Sequence, residues 1–476
     1  MRMIAIAAFC CLLFWCAFAQ AEEAPFFVDA FVHDPSVIRT EDGTFYIYGS
    51  HMAAAKSTDL MRWEMISTNA KEGCTLFGDV QNELREALDW AQTDTFWAGD
   101  VQRLADGRYY FYYCACIGNA PVSALGVAVS DSPEGPFEDL GIFLKSGMEG
   151  VGEDGTPYDA TVHPNAIDPH VFFDDDGVLW MVYGSYSGGI FIMEMDPETG
   201  FPLPGQGYGK KLLGKNHSRI EGPYILYAPE TEYYYLFLSF GGLLASDGYN
   251  IRVARSRRPD GPYVDALGQD MIDCGGADGS FFDDAAVEPY GAKLMGGFRF
   301  MPLEGEEALP EAAYRSPGHN SAYHDAQTDR YYLIFHTRFA AMGEEHRVRV
   351  HQFWFNAEGW PVVAPFRYGG ETRAASTPRE QAGEYRLLRH ERDVNRSWHR
   401  SVEARLGEDG SIQGDAAGAW RSAGDGRGVL EIEGTEYEGV FVRCYDAQQG
   451  AWTLTFTGLS PDGRALWGTR TAKQSD

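Results

Sequence analysis

The stretch WAGDVQRLADGRYYFYY, residues 97–113, decides the fold. An ionisable residue, Asp100, stands ahead of a turn signal, ADG at 105–107, and the turn opens into an aromatic run at 109–113. Such a run, rich in strand formers and bounded by a turn, predicts a buried β-strand. Four other stretches repeat the arrangement: the runs at 45–48, 179–183, 233–238 and 331–335 follow Asp34, Asp168, Glu221 and His319. A motif of strands and turns recurring at intervals of several tens of residues is how a radial array of sheets reads in sequence. Five copies predict a five-bladed β-propeller.

In a propeller the first strand of each blade lines the central channel, and the next is packed between neighbouring blades and is apolar on both faces. The aromatic runs fit that second strand. The five upstream residues then fall on inner strands and converge on one axis. Four carboxylates and a histidine gathered at one pocket repel one another, so stability gives little reason to collect them and function gives a better one.

Composition narrows the partners. The 476 residues carry Lys+Arg 39 against Asp+Glu 69, a net charge of -30 that opposes binding to nucleic acid or to anionic membranes. At the N-terminus Arg2, the apolar residues 4–18 and a small-residue site at Ala17-Phe18-Ala19 or Ala19-Gln20-Ala21 read as a cleaved export signal, which implies a secreted or periplasmic protein without a membrane span. Lipid attachment at Cys16 is disfavoured by the bulky Trp15 before it. Outside the signal, Cys74, Cys114, Cys116, Cys274 and Cys444 are odd in number and cannot all pair. Cys114 and Cys116 share one face of an aromatic strand and read as core residues.

A second internal echo supports the repeat: VAVSDSPEGPF at 127–137 and VARSRRPDGPY at 253–263 both run from a strand into a Pro-x-Gly-Pro turn, as third strands of blades. The longest interval, 266–317, is expected to insert a surface loop before His319. The division expected is a signal peptide at 1–21, the propeller at 22–369, a polar linker at 370–383 and a small C-terminal β-barrel or sandwich at 384–476. The fold class is therefore all-β.

The segments HDPS at 33–36, FWAGDV at 96–101, NAIDPHVFF at 165–173, NHSRIEGPYILY at 216–227 and SPGHNSAYHD at 316–325 closely resemble the endo-α-1,5-L-arabinanases of glycoside hydrolase family 43. The resemblance runs from about Phe31 to Arg367 and extends to the accessory β-domain of longer members. It implies a five-bladed propeller and an inverting hydrolase. Asp34 is implied as general base, Glu221 as general acid, and Asp168 as the group that tunes and orients the acid. An inverting glycosidase needs one carboxylate to activate water and a protonated carboxyl on the other face to donate to the leaving oxygen. The charge of Asp168 and burial beside Tyr224 are expected to keep Glu221 protonated, while Arg219 or His33 keeps Asp34 ionised. Trp97, Asp100, Asn165, Ser185 and Arg338 are the expected substrate contacts, although Gly99 stands where the family usually has proline. His319 is implied to hold a calcium ion with a shell of waters.

Aspartates before proline are common turn openers, so neither Asp34 nor Asp168 carries this reading alone. Their equivalent places in the repeat carry it. The run Asp174-Asp175-Asp176 lacks the spaced glutamate of a calcium loop and reads as a β-turn. The expected partner is arabinan. The alternatives are an exo-acting α-L-arabinofuranosidase or β-xylosidase on the same scaffold, or a propeller that binds glycans without cleaving them.

Overall fold

The structure, a computed structural model, describes residues 23–371, 373, 376–394 and 396–471. The expected signal peptide lies outside the described residues. Four sheets of four successive antiparallel strands, and a fifth whose four successive antiparallel strands are extended to six by Phe298–Arg299 and His399–Arg400, form the blades of a propeller. Blade 1 runs Ser36–Arg39, Phe45–Tyr48, Ala54–Ser57 and Glu64–Ser67; blade 2 begins at Phe96–Arg103, blade 3 at His170–Phe173, blade 4 at Ile220–Ala228 and blade 5 at Ala313–Asp325. The aromatic runs are the second strands, Phe45–Tyr48, Tyr109–Cys116, Leu179–Tyr183, Tyr233–Phe240 and Arg330–Phe339. They are almost wholly buried because each packs against two neighbouring blades.

Packing closes the ring. Each first strand lies beside the first strand of the next blade, and that of blade 5 returns to that of blade 1. Apolar cores fill the joints, as where Val37, Ile47 and Ala55 of blade 1 meet Ile334, Val348 and Val350 of blade 5. No strand is exchanged between these two blades, so a segment ahead of blade 1 reinforces the joint. The Val348 amide donates to Ala30 O at 2.9 Å, and the Asp29 carboxylate pairs with Arg347, Arg349 and Arg367 at 2.8–3.1 Å.

Two expectations change here. The interval 266–317 is not only a surface loop: it supplies Ala292–Met295, which completes blade 4, and Phe298–Arg299, which joins the sheet of blade 5. Its Gly and acidic residues hid two short strands. The polar stretch 370–383 contains the helix Pro378–Gln381, with a capping box between Thr377 and Glu380 and proline at its start.

The C-terminal strands, from Gly383–His390 to Ala465–Arg470, close into an eight-stranded barrel, so of the two expected forms the barrel is observed. Its interior is apolar, with Tyr385, Phe441 and Phe456 among the filling residues. Barrel residues Leu388, Val440 and Trp467 also share one core with Phe298, Tyr314 and Leu333 of the propeller, so the two units are joined by buried apolar surface. Among the described residues no helix is long and apolar enough to cross a membrane. The five cysteines outside the signal are all free and buried.

Candidate active site

Three of the axial side chains sit on strained backbone. Asp34, Asp168 and His319 have φ of 57°, 56° and 43°, the left-handed region that Asp and His tolerate better than most residues. Asp34 and Asp168 lie just ahead of the inner strands Ser36–Arg39 and His170–Phe173 rather than within them, which corrects the expected placement. Glu221 and His319 are within their strands, each at an irregularity in the strand pairing. A shift in pairing re-aims a side chain, here towards the axis. Gly222 follows Glu221 at φ 57°, and a Cβ there would stand 3.0 Å from His319 Cγ, so only glycine lets the imidazole pack against this turn.

Asp34, Asp168 and Glu221 line one cavity of about 350 Å³, with Trp97, Asn165 and Ser185 on its walls. The three carboxylates are buried. His33 Nδ1 lies 2.7 Å from Asp34 Oδ2, His319 Nδ1 lies 3.1 Å from Asp34 Oδ1, and the Ser50 hydroxyl also donates to Asp34. The Asp34 amide donates to His336 Nδ1 at 3.2 Å. Burial opposes the charge of Asp34, but His319 and His33 outweigh it and hold the carboxyl well below its usual range.

Glu221 goes the other way. Burial raises it above the usual carboxyl range, assisted by the charge of Asp34 and opposed by His319 and by hydrogen bonds from Ser185 Oγ at 2.8 Å and Tyr249 OH at 2.9 Å. Asp168 is raised too, first by burial and then by the charges of Glu221 and Asp34, against His319 and the Gly222 amide, which donates to its Oδ2 at 3.2 Å. The charge of Glu221 acts on Asp168, and interacting carboxyls titrate as a pair rather than singly. His319 balances the cluster: burial disfavours its charge, yet Asp34 and Asp168 lift it to about 9. One carboxyl held low and two raised thus face the same space, an arrangement that suits a general base and a general acid.

Residues 25–284 match the family described as Glycosyl hydrolases family 43, and residues 365–468 match its C-terminal lipocalin-like domain. The chain belongs to glycosyl hydrolase family 43. It is 56% identical to the extracellular endo-α-(1→5)-L-arabinanase 2 of Bacillus subtilis, with 94% of each chain covered. It is 47% identical to the extracellular endo-α-(1→5)-L-arabinanase of Thermotoga petrophila, over 94% of this chain and 96% of that one. The crystal structure of an endo-1,5-α-L-arabinanase from T. petrophila superposes with a TM-score of 0.90, covering 94% of this chain and all of the other.

Within this family 43 hydrolase, Trp97 lines the cleft with its Nε1 donating to Cys116 O at 3.0 Å, and Asn165 lines it while accepting from Ser123 and Ser146. Two of the expected substrate contacts are elsewhere. Asp100 accepts from the Ser36 hydroxyl and from the Val171 amide at 2.6 Å, tying blades 1, 2 and 3. It lines a second cavity with His170 and Tyr224, formed by the inner strands beyond the carboxylates. Burial pushes Asp100 up to about 6 against those two hydrogen bonds. Gly99 beside it is needed for packing, because a Cβ would stand 2.8 Å from Phe111 Cζ. Arg338 is buried and ion-paired with Glu344 at 2.6 Å, outside the cleft lining.

Of the two expected partners of Asp34, His33 is the one observed, while Arg219 is engaged by Asp284. The expected neighbour of Glu221 changes. Tyr224 stacks on His170 at 3.5 Å, and the tyrosine that touches Glu221 is Tyr249. Asp174 accepts from the amides of Asp176 and Val178, the β-turn expected of the acidic triple.

Proposed function

We propose that the protein is an exported, inverting endo-α-1,5-L-arabinanase. The observation that carries this reading is the opposite displacement of Asp34 and Glu221 within one cavity, supported by relatives whose names state that activity over nearly their whole length. Asp34 acts as the base: held ionised by His33 and His319, it takes a proton from water as that water attacks the anomeric carbon. Glu221 acts as the acid and gives its proton to the departing glycosidic oxygen. Attack and departure on opposite faces invert the anomeric configuration. Asp168 is placed to orient the acid: the Gly222 amide, next to Glu221 in the chain, donates to its Oδ2, and its carboxyl is raised by burial and then by the charge of Glu221.

His319 is the proposed calcium residue. Its Nδ1 is turned to Asp34, so the other ring nitrogen would hold the ion, and binding would displace the proton that Asp34 and Asp168 favour on the ring. A second cluster, His33, Asp34 and His336, is already committed internally, since His33 binds the carboxylate and His336 Nδ1 accepts the Asp34 amide. When bound, the ion would supply positive charge beside the carboxylates and order the waters around them.

Linear α-1,5-arabinan incubated with the enzyme should lose viscosity early and yield a ladder of oligosaccharides. Release of arabinose alone from the first minutes would replace the endo reading by an exo-acting one. Proton NMR of the first product tests inversion separately.

A further inference from the structure

Arg219, two residues before Glu221, binds the segment that enters blade 4 between its third and fourth strands. Its Nε donates to Asp284 Oδ1 at 2.9 Å, Nη2 donates to Oδ2, and the guanidinium lies 5.7 Å from the centre of the Phe282 ring. A second tie lies close by: the Gly276 amide donates to Ser218 Oγ at 2.7 Å, and Asn216 Nδ2 donates to Gly276 O at 3.0 Å. The segment is thus fastened to the residues that lead into the Glu221 strand. It carries Phe281 and Phe282, which are 65% and 43% exposed and line the same cavity as the carboxylates.

These rings are held in position. Phe281 and Phe282 are 4.1 Å apart between centres, Phe282 meets Tyr186 edge-on at 5.4 Å, and His217 lies 5.0 Å from Phe281. Phe282 has φ 56°, a conformation a bulky residue adopts only when its surroundings impose it. Scattered exposed apolar side chains are ordinary, but a contiguous, fixed aromatic wall continuous with a cleft marks a binding surface. The C–H face of a sugar ring packs on an aromatic face while its hydroxyls stay in water. The wall offers two aromatic rings, so a neutral saccharide suits it.

Building on the proposed arabinanase activity, we propose that Phe281 and Phe282 form a stacking platform for an arabinofuranosyl unit outside the reacting one. The platform binds the chain of linear arabinan beyond the cleavage point and favours polymer over short substrates.

The test compares wild type with Phe281→Ala/Phe282→Ala on linear arabinan and on arabinotriose, with thermal unfolding as the folding control. The loss in kcat/KM on the polymer should exceed that on the trisaccharide by about tenfold, which is ~1.4 kcal/mol, and should arise mainly in KM. Phe281→Tyr/Phe282→Trp should retain the preference. Equal losses on the two substrates, or no loss on the polymer, would overturn the platform. So would a wild-type dimer that becomes a monomer in the alanine variant with the substrate preference unchanged, since the rings would then serve a subunit interface. Failure of the arabinanase reading looks different: wild type would leave linear arabinan intact, and the platform would lose its ligand with it.

Discussion

His319 Nδ1 lies 3.1 Å from Asp34 Oδ1, so the axial residue of blade 5 faces the axial carboxylate of blade 1. The contact couples the last blade to the first at the chemical centre. It also separates the cluster electrostatically: Asp34 is held low beside the imidazole, while burial raises Glu221 and Asp168 despite it.

If His319 anchors a hydrated calcium, chelation should lower activity or the unfolding temperature, and added calcium should restore it. His319→Ala should abolish that response. Full activity after chelation, with no ion found by elemental analysis, would leave His319 as the hydrogen-bonding partner of Asp34 alone.

The two proposed catalytic carboxylates should separate by substrate. Asp34→Ala and Glu221→Ala should each lose roughly 10²–10⁴-fold on arabinan. On an aryl arabinofuranoside, whose leaving group needs little protonation, Glu221→Ala should recover much of its rate and Asp34→Ala should not. Azide should rescue Asp34→Ala more readily, because a small anion replaces the activated water. The reverse pattern in steady-state rates would exchange the two roles.

Tyr249 donates to Glu221 Oε1, a hydrogen bond that favours the charged form of the acid. Tyr249→Phe should move the alkaline limb of kcat/KM to higher pH. A hydrogen bond to a charged group contributes ~1.5–3 kcal/mol, so kcat should also fall roughly tenfold. A limb that stays in place would mean that Tyr249 does not govern the protonation of the acid.

Glu371, where the propeller chain leaves for the barrel, is buried, and its Oε1 finds no partner among the described residues. Burial raises its carboxyl from 4.5 to about 7, against the Gly369 amide that donates to Oε2. The folded state therefore holds the proton more tightly than the unfolded one. Its contribution to stability is complete below pH 4.5 and is lost as pH rises through about 7. Glu371→Gln, which does not titrate, should gain on wild type across that window, reaching on the order of 3 kcal/mol above it. Thermal unfolding of both proteins at several pH values checks this, and a pH-independent difference would contradict it.

Much of the site was legible because the repeat encodes it. Asp34, Asp168, Glu221 and His319 occupy equivalent places ahead of aromatic strands, and a propeller converts equivalent places into proximity. One further signal was available in the repeat. Tyr48-Gly49-Ser50 and Tyr183-Gly184-Ser185 leave the second strands of blades 1 and 3 alike, and each serine donates to a carboxylate, Ser50 to Asp34 and Ser185 to Glu221. Tyr249, His336 and the phenylalanine pair carried no such periodic mark.

What the sequence determined by itself was the count of blades, the apolar second strands and the residues gathered at the axis, because these follow from alternation, turns and repetition along the chain. Only the tertiary structure decided which neighbours those residues meet. Asp100 turned to tie three blades, Arg219 turned to Asp284, and His319 of blade 5 closed on Asp34 ahead of blade 1. Spacing along a strand fixes which face a side chain takes, but partners from other blades depend on how the ring closes and on local backbone irregularities, and these set the burial and charge that lower one carboxyl and raise another.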